Sequence, residues 1–320
     1  MDISQTLGNW LIEAEFSKNI AFHQLSPARE PVYEPFLPSI ESTLQEALRK
    51  KGITALYSHQ AEAVRLLNEG ENTVVSTGTS SGKSLCYTIP ILNQQLIQPG
   101  TTALLLFPTK ALTNDQNKSF LEYSRLLSVN SIIPAVYDGD TPNHNRSAIR
   151  KSATILSTNP DMLHQGILPH HTNWARFLSK LRFVVIDEIH IYRGVFGSHF
   201  ANLIRRLKRI CSFYNSYPQF ILTSATIGNP EELASKLIEQ KVRLIKEDGS
   251  PKGPSHFVVF NPPFVDEKLG IRKSSVDFGV TFTQKLINSD HQSLIFARTR
   301  RTVEMLLAYL RNKIPFQDRE

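Results

Sequence analysis

A run of small polar residues followed by a lysine could bind phosphate: Thr77-Gly78-Thr79-Ser80-Ser81-Gly82-Lys83-Ser84. It comes after the largely apolar residues 73–75 and before a stretch with helical character that begins at Leu85. In this strand–loop–helix order, backbone N–H groups turn toward phosphate oxygens and the helix presents its positive end. Lys83 would reach the β- and γ-phosphates of a nucleotide, and the Ser84 hydroxyl would coordinate Mg²⁺. The general pattern has glycine where this chain has Thr77, so an ordinary turn is an open alternative for this run alone.

Two adjacent carboxylates, Asp187 and Glu188, follow the apolar run 183–186. Carboxylates at the end of a buried strand are costly unless they bind a cation or are otherwise paired. Asp187 suits a Mg²⁺ ligand, and Glu188 suits the base that activates an attacking water molecule. A surface Asp-Glu turn is the alternative, and the apolar strand before the pair argues against it.

Apolar, strand-like runs alternate with helical stretches across most of the chain. The runs lie at 103–107, 132–137, 154–158, 183–186, 220–223, 242–245 and 256–260, and a helical pattern such as 112–127 lies between several of them. This alternation predicts an α/β fold with a doubly wound, mostly parallel sheet and flanking helices. Ligands of such sheets bind beyond the carboxyl ends of the strands, where the polar motifs of this chain fall.

The ends of the chain have a different character from its middle. Residues 1–50 contain a proline-rich stretch and are predicted to form an N-terminal accessory arm. We expect the main domain over 51–268, and a second domain that begins at 269–320 with a helix near 282–287, a strand at 293–297 and a basic helix at 301–313.

Composition limits the partners and the compartment. The net charge of +7 over 320 residues favours a polyanionic partner, although a solvated basic face is common. Cys86 and Cys211 have neither metal-ligand spacing nor a disulfide pattern, which favours a reducing compartment and a cytoplasmic location. The first residues do not resemble a signal peptide, and no apolar run is long enough to span a membrane.

Taken in order, the motifs resemble those of superfamily 2 DEAD/DEAH-box (DExH) helicases. Gly82-Lys83-Ser84, Asp187-Glu188-Ile189-His190 and Ser224-Ala225-Thr226 carry the resemblance. It implies a RecA-like fold, ATP and Mg²⁺ as cofactors, and single-stranded or duplex DNA as partner. It also makes Lys83, Asp187 and Glu188 catalytic, and assigns the metal to Ser84 and Asp187.

Further positions match the family one by one. Gln60 resembles the glutamine that reads adenine, and the whole of Thr77–Ser84 would bind the nucleotide. The predicted nucleic-acid contacts are Thr109 and Lys110 at one strand end, Thr158 and Asn159 at another, and Arg298 in the second domain. His190, Ser224 and Thr226 would couple the nucleotide site to the DNA-binding face. The chain departs from the family at Ser80, where many members have glycine.

A narrower resemblance lies in 137–141, 192–199 and 205–207, which are similar to MrfA-type DNA-repair helicases and their RecQ-4-like relatives. It implies 3′-to-5′ DNA unwinding, with the family's arginine finger beyond residue 320. An arginine finger contributes about 10³–10⁵ in rate, so we expect poor hydrolysis and no unwinding from these residues alone. The alternatives are an RNA helicase, a restriction-type duplex translocase, or an ATP- and nucleic-acid-binding module without autonomous activity. The basic side of the amphipathic helix after Gly197 is interpreted as an ordinary solvent-facing surface.

Overall fold

The computed structural model describes residues 3–313, which form an α/β structure. The strands are β1 (Ile20–Ser26), β2 (Tyr33–Glu34), β3 (Leu56–Tyr57), β4 (Thr73–Ser76), β5 (Thr102–Leu106), β6 (Pro134–Val136), β7 (Ile155–Thr158), β8 (Leu181–Ile186), β9 (Gln219–Ser224), β10 (Arg243–Ile245), β11 (Ser255–Phe260), β12 (Phe264–Asp266) and β13 (Ile271–Arg272). The helices are α1 (Ile3–Ile12), α2 (Ala14–Ser17), α3 (Ser42–Lys50), α4 (Ser58–Asn68), α5 (Leu85–Ile97), α6 (Lys110–Leu127), α7 (Asn143–Ser152), α8 (Pro160–Met162), α9 (Ala175–Leu178), α10 (Gly194–Phe213), α11 (Pro230–Ile238), α12 (Ser275–Asn288) and α13 (Arg300–Lys313). A π turn (Leu163–Ile167) and two 3₁₀ segments (Leu168–Trp174 and Ile189–Ile191) complete the set.

The chain divides into two compact units. The larger is Glu30–Pro251, and the smaller combines the described residues before Glu30 with those after Pro251. These bounds differ from the expected divisions after residues 50 and 268. They differ because β11, predicted as a strand of the main sheet, pairs antiparallel with β1 instead. The residues around β2 belong to the larger unit, where β2 pairs with β3.

A seven-stranded parallel sheet forms the centre of the larger unit, as the alternating pattern predicted. Its strand order is β10-β4-β9-β8-β5-β7-β6. Every residue of β4, β5, β7 and β9 is buried, which is expected when helices cover both faces. Alternate residues enter different cores: Leu104 and Ile186 pack on the face covered by α10, and Leu105 and Val185 on the face covered by α4 and α6.

The sheet order determines which loops meet. Strands β4, β9, β8 and β5 are consecutive neighbours, so the segments that follow Ser76, Ser224, Ile186 and Leu106 leave the sheet side by side. This edge therefore collects the phosphate-loop motif, the Ser-Ala-Thr motif and the acidic motif, together with the segment that contains Thr109.

In the smaller unit an aromatic cluster packs around the β1–β11 pair. Phe260 stacks on Phe278 with 4.1 Å between ring centroids, and Phe16 contacts both Phe260 and Phe282. The predicted basic helix is confirmed as α13, whereas residues 293–297 have no regular secondary structure where we predicted a strand. Among the described residues, no helix combines the length and the hydrophobicity needed to cross a membrane.

Candidate nucleotide-binding site

The loop between β4 and α5 is a compact turn held together by its own polar atoms. The hydroxyl oxygens of Thr77 and Ser81 are 2.7 Å apart. Ser80 (φ 61°) and Gly82 (φ 78°) both have left-handed backbone conformations. Serine is strained at such a position, which gives a physical reason why glycine is the more usual residue there. A Cβ on Gly82 would lie 2.7 Å from the Gln60 side-chain amide and on a left-handed backbone, so glycine is favoured at that position.

Lys83 folds back over the loop. Its Nζ donates to the carbonyls of Gly78 at 2.7 Å and Thr77 at 3.2 Å. The ammonium group is therefore held over the turn, and a bound phosphate would compete with these two carbonyls for it.

Gln60 lies on α4 against the same loop. Its Nε2 donates to the Gly82 carbonyl at 3.1 Å, and its Oε1 accepts from the Tyr57 N–H at 3.0 Å. The residue is only 2% exposed. The sequence predicted an adenine-reading side chain, whereas in this structure both ends of the amide bond the protein backbone.

The acidic motif lies directly beyond β8. Asp187 accepts a short hydrogen bond from the Thr223 hydroxyl, and the same hydroxyl oxygen lies 3.4 Å from the Glu188 N–H. Burial raises the pKa of Asp187, an effect that the Thr223 hydrogen bond opposes and the neighbouring Glu188 charge reinforces. Glu188 has a left-handed backbone (φ 54°), so the extended conformation of β8 does not continue through it.

His190 connects the acidic motif to the segment after β9. Its Nδ1 lies 3.0 Å from Glu188 Oε2 and 3.3 Å from the Ala225 N–H. A neutral Nδ1 accepts from Ala225 and leaves that Glu188 oxygen without a donor, whereas a protonated Nδ1 can donate to Glu188. The contact to the Ser-Ala-Thr motif is made by the Ala225 backbone, while Ser224 is buried and Thr226 is exposed.

These groups line one open cavity of about 380 Å³. Its lining residues are Thr79, Ser80, Ser81, Gly82, Lys83, Ser84, Tyr87, Gln116, Asp187 and Glu188. A cationic side chain, a helix start and two carboxylates thus share a space that suits a nucleoside polyphosphate. The described residues contain no cluster of three or more His, Cys, Asp or Glu side chains that could hold a metal ion. Mg²⁺ does not need one, because it keeps several waters and uses one or two carboxylates with substrate phosphates.

The predicted nucleic-acid residues after β5 are accessible. Thr109 is the N-cap of α6, and Lys110 forms a surface ion pair with Asp140. The hydrogen bond from Lys110 to Asp140 raises the pKa of the lysine, so it is cationic at neutral pH.

Of the two predicted nucleic-acid residues at the end of β7, Thr158 is placed differently from the prediction. Thr158 is fully buried and its hydroxyl donates to the Tyr137 carbonyl, so its side chain does not face a ligand surface. Asn159 is partly exposed and caps the next turn, with its Oδ1 accepting from the Met162 N–H at 2.8 Å. Arg298 is exposed and belongs to the smaller unit.

Four residues of this region were missed by the sequence reasoning. Thr223 bonds Asp187, Gln116 accepts from the Tyr87 hydroxyl at the cavity wall, and His59 and Asp248 contact the phosphate loop. Thr223 directly precedes the Ser-Ala-Thr motif and His59 directly precedes Gln60, so motif adjacency was an available signal for both. Gln116 and Asp248 lie in no motif.

The conspicuous stretch after the acidic motif is largely a packing feature. Tyr192 is buried and stacks on Phe200 with 3.8 Å between ring centroids. A Cβ on Gly197 would lie 2.4 Å from the Tyr192 carbonyl oxygen, so α10 can approach this turn only with glycine there.

Comparison with known proteins gives consistent matches. Residues 57–233 match the family model described as DEAD/DEAH box helicase. The chain is 45% identical over 296 residues to the uncharacterized ATP-dependent helicase YprA of Bacillus subtilis, covering 92% of this chain and 39% of that protein. It is 43% identical over 260 residues to the ATP-dependent helicase HRQ1 of Saccharomyces cerevisiae, covering 80% of this chain and 24% of that protein.

Among solved structures, the DUF1998 helicase MrfA bound to DNA and AMPPNP superposes with a TM-score of 0.92 at 42% identity. That match covers 98% of this chain and 43% of MrfA. The chain therefore spans less than half the length of each of these three proteins.

Proposed function

Because this chain belongs to the DEAD/DEAH box helicase family, we propose that it is the ATP-binding motor part of a DNA helicase. The observation that carries the proposal is the single cavity lined by Lys83, Ser84, Asp187 and Glu188. A phosphate loop that faces a half-buried carboxylate pair suits NTP hydrolysis.

Each side chain has a role that its surroundings support. Lys83 exchanges the Thr77 and Gly78 carbonyls for the β- and γ-phosphates of ATP. The backbone N–H groups at the start of α5 bind the same phosphates. Glu188, whose side chain is 30% exposed, accepts a proton from the attacking water, while its buried Oε2 lies beside His190.

Ser84 and Asp187 are the residues that would hold Mg²⁺, which when bound would shield the charge of the phosphate oxygens. Thr223 restrains the Asp187 carboxylate by donating a hydrogen bond to it. The site thus offers one hydroxyl and one positioned carboxylate, which is an ordinary protein contribution to a Mg²⁺–nucleotide complex.

The nucleic-acid partner is proposed to be DNA, held by Thr109, Lys110 and Asn159 at the same edge of the sheet. Such short polar and cationic groups bind phosphates without reading bases, as a motor that moves along any sequence needs. MrfA is known in a DNA-bound structure, and we extend DNA binding, 3′-to-5′ polarity and a role in repair to this chain by family resemblance.

The two units have separate assignments. We assign the larger unit, Glu30–Pro251, as the first RecA-like motor domain. Residues 269–320 are assigned to the start of the second motor domain.

Nucleotide and nucleic-acid binding by the chain test this function. Titration with Mg–ATP should give saturable binding, and a single-stranded DNA oligonucleotide should bind more tightly than an RNA of the same sequence. Absence of Mg–ATP binding by the folded chain would refute the assignment. Tighter binding to RNA would instead favour an RNA helicase.

A further inference from the structure

The segment that leaves the central sheet after β10, residues 246–251, packs against the phosphate loop. We refer to these residues as the strap. By composition they are an ordinary polar turn, Lys246-Glu247-Asp248-Gly249-Ser250-Pro251. Two of them, Asp248 and Gly249, nevertheless contact the loop or the residues that support it.

Asp248 touches the loop directly. Its Oδ2 accepts from the Gly78 N–H at 3.3 Å, while its Oδ1 accepts from the Ser250 N–H at 3.0 Å and the Ser250 hydroxyl at 2.7 Å. The side chain is only 15% exposed. One carboxylate oxygen is therefore fixed by the turn of the strap, and the other is directed at the loop backbone.

His59 connects the strap to a second point of the loop. Its Nδ1 accepts from the Gly249 N–H at 3.2 Å, so the neutral ring carries its proton on Nε2. The Nε2 then donates to the Ser81 carbonyl at 3.0 Å. The ring is fully buried, so water does not compete for either bond.

Gly249 prevents the strap from shifting. Its carbonyl accepts from the Val32 N–H at 2.9 Å. A Cβ at this position would lie 2.3 Å from the Ser58 hydroxyl oxygen and 2.9 Å from the Ser58 nitrogen. The strap is therefore pressed against the start of α4, the helix that carries His59.

We propose that Asp248 is a positioning residue that, together with His59, holds the phosphate loop in its nucleotide-binding shape and thereby sets ATP affinity. The proposal rests on ATP binding at this loop, as argued above. The loop contains two residues with positive φ, Ser80 and Gly82, and such a conformation persists only when its surroundings hold it. Gly78 lies just before this turn and Ser81 lies within it, so fixing both lowers the ordering cost of binding.

If Asp248 instead only repelled the nucleotide, its removal would change ATP affinity in the opposite direction. A carboxylate near a triphosphate repels it, so removal of a purely repulsive charge would tighten binding. Removal of a positioning carboxylate weakens binding, even though a negative charge is lost. The direction of the change thus separates the two roles.

The test compares Asp248→Ala, Asp248→Asn and Asp266→Ala in the 320-residue chain, using a fluorescent ATP analogue with Mg²⁺. Asp266 is the matched control, because its Oδ1 accepts from the Lys268 and Leu269 N–H groups in a similar turn of the smaller unit. We expect Asp248→Ala to raise the Kd about tenfold, as for loss of a charge-assisted hydrogen bond. Asp248→Asn should raise it less, because the amide keeps one acceptor, and Asp266→Ala should leave it unchanged.

Hydrogen exchange supplies a second readout that needs no nucleotide. In Asp248→Ala, the amides of residues 76–84 should exchange faster while those of α6 keep their wild-type rates. Unchanged loop exchange, uniformly faster exchange, or a Kd that is unchanged or lower would overturn the positioning role. If the wild-type chain failed to bind Mg–ATP, the proposed function would fail, and loop exchange would still decide whether Asp248 holds the loop.

Discussion

Replacing Lys83 with alanine separates the folding role of this side chain from its binding role. In the folded chain the ammonium is partly exposed and donates to two loop carbonyls, those of Thr77 and Gly78. Both carbonyls belong to a loop that borders an open cavity. After the substitution, water can replace the lost donor.

The two expected free energies differ in size. A net contribution of about 0.5–1.5 kcal/mol per hydrogen bond, reduced by solvation, puts the cost to folding at about 1 kcal/mol. Loss of charge-assisted bonds to phosphate costs about 1.5–3 kcal/mol each, so with one or two such bonds lost we expect ATP affinity to fall about 100-fold. Binding should therefore be lost under conditions in which the fold is retained.

Isothermal titration with Mg–ATP and thermal unfolding of the same samples measure both quantities. Lys236→Ala is the matched control, since it removes one lysine charge from an exposed i,i+4 pair with Glu232 on α11. This control should bind ATP like the wild type. Wild-type affinity in a folded Lys83→Ala chain would refute the assignment of the loop.

Three further substitutions test other parts of the site. Glu188→Gln keeps the shape of the side chain but cannot accept a proton, so ATP affinity should persist. Turnover in a hydrolysis-competent protein should fall about 10²–10⁴-fold, and a loss below about threefold would exclude Glu188 as the base. Asp187→Asn should raise the thermal midpoint at pH 7. Burial raises the pKa of Asp187, so the folded chain loses stability as pH rises through the window above about 4, and the substitution removes that loss. The gain should disappear in melts below that window, and a lower midpoint at pH 7 would contradict this expectation. Gly197→Ala should destabilise the chain by about 1–3 kcal/mol in urea unfolding, because its Cβ would overlap the Tyr192 carbonyl, and an unchanged midpoint would contradict that packing argument.

The central sheet was predictable because buried parallel strands have a simple sequence pattern. Strands covered on both faces are continuous apolar runs, and β5, β8 and β9 each lie within two residues of the predicted run. The polar motifs that follow such runs could then be placed at one edge without any structure.

The pairing of β1 with β11 could not be read in the same way. The paired residues Ile20 and Phe260 are far apart in sequence, and no local pattern in either strand indicates which strand it pairs with. An apolar run near the end of an alternating series was therefore assigned to the nearest sheet. Such long-range pairing depends on the fold as a whole rather than on local pattern.

Motif matching located backbone positions but not the direction of side chains. Thr158 occupies the predicted strand end, yet its hydroxyl bonds the Tyr137 carbonyl inside the protein. Gln60 reaches the predicted loop, yet its amide bonds the Gly82 carbonyl and the Tyr57 N–H. Asp248 gave no signal, because a carboxylate in a Gly-Ser-Pro turn is common and its partner lies 170 residues away.

The order of the strands also explains why His190 can contact two motifs. Its Nδ1 can accept from the Ala225 N–H or donate to Glu188, but a single ring nitrogen cannot do both at once. Ala225 follows β9, and its carbonyl accepts from the Ser76 hydroxyl at the end of β4, the strand that leads into the phosphate loop. A shift of the segment after β9 that weakened the Ala225 contact would therefore favour donation from His190 to the buried Oε2 of Glu188. His190 thus contacts both the acidic motif and the backbone of the Ser-Ala-Thr motif, and its proposed coupling role rests on these two contacts.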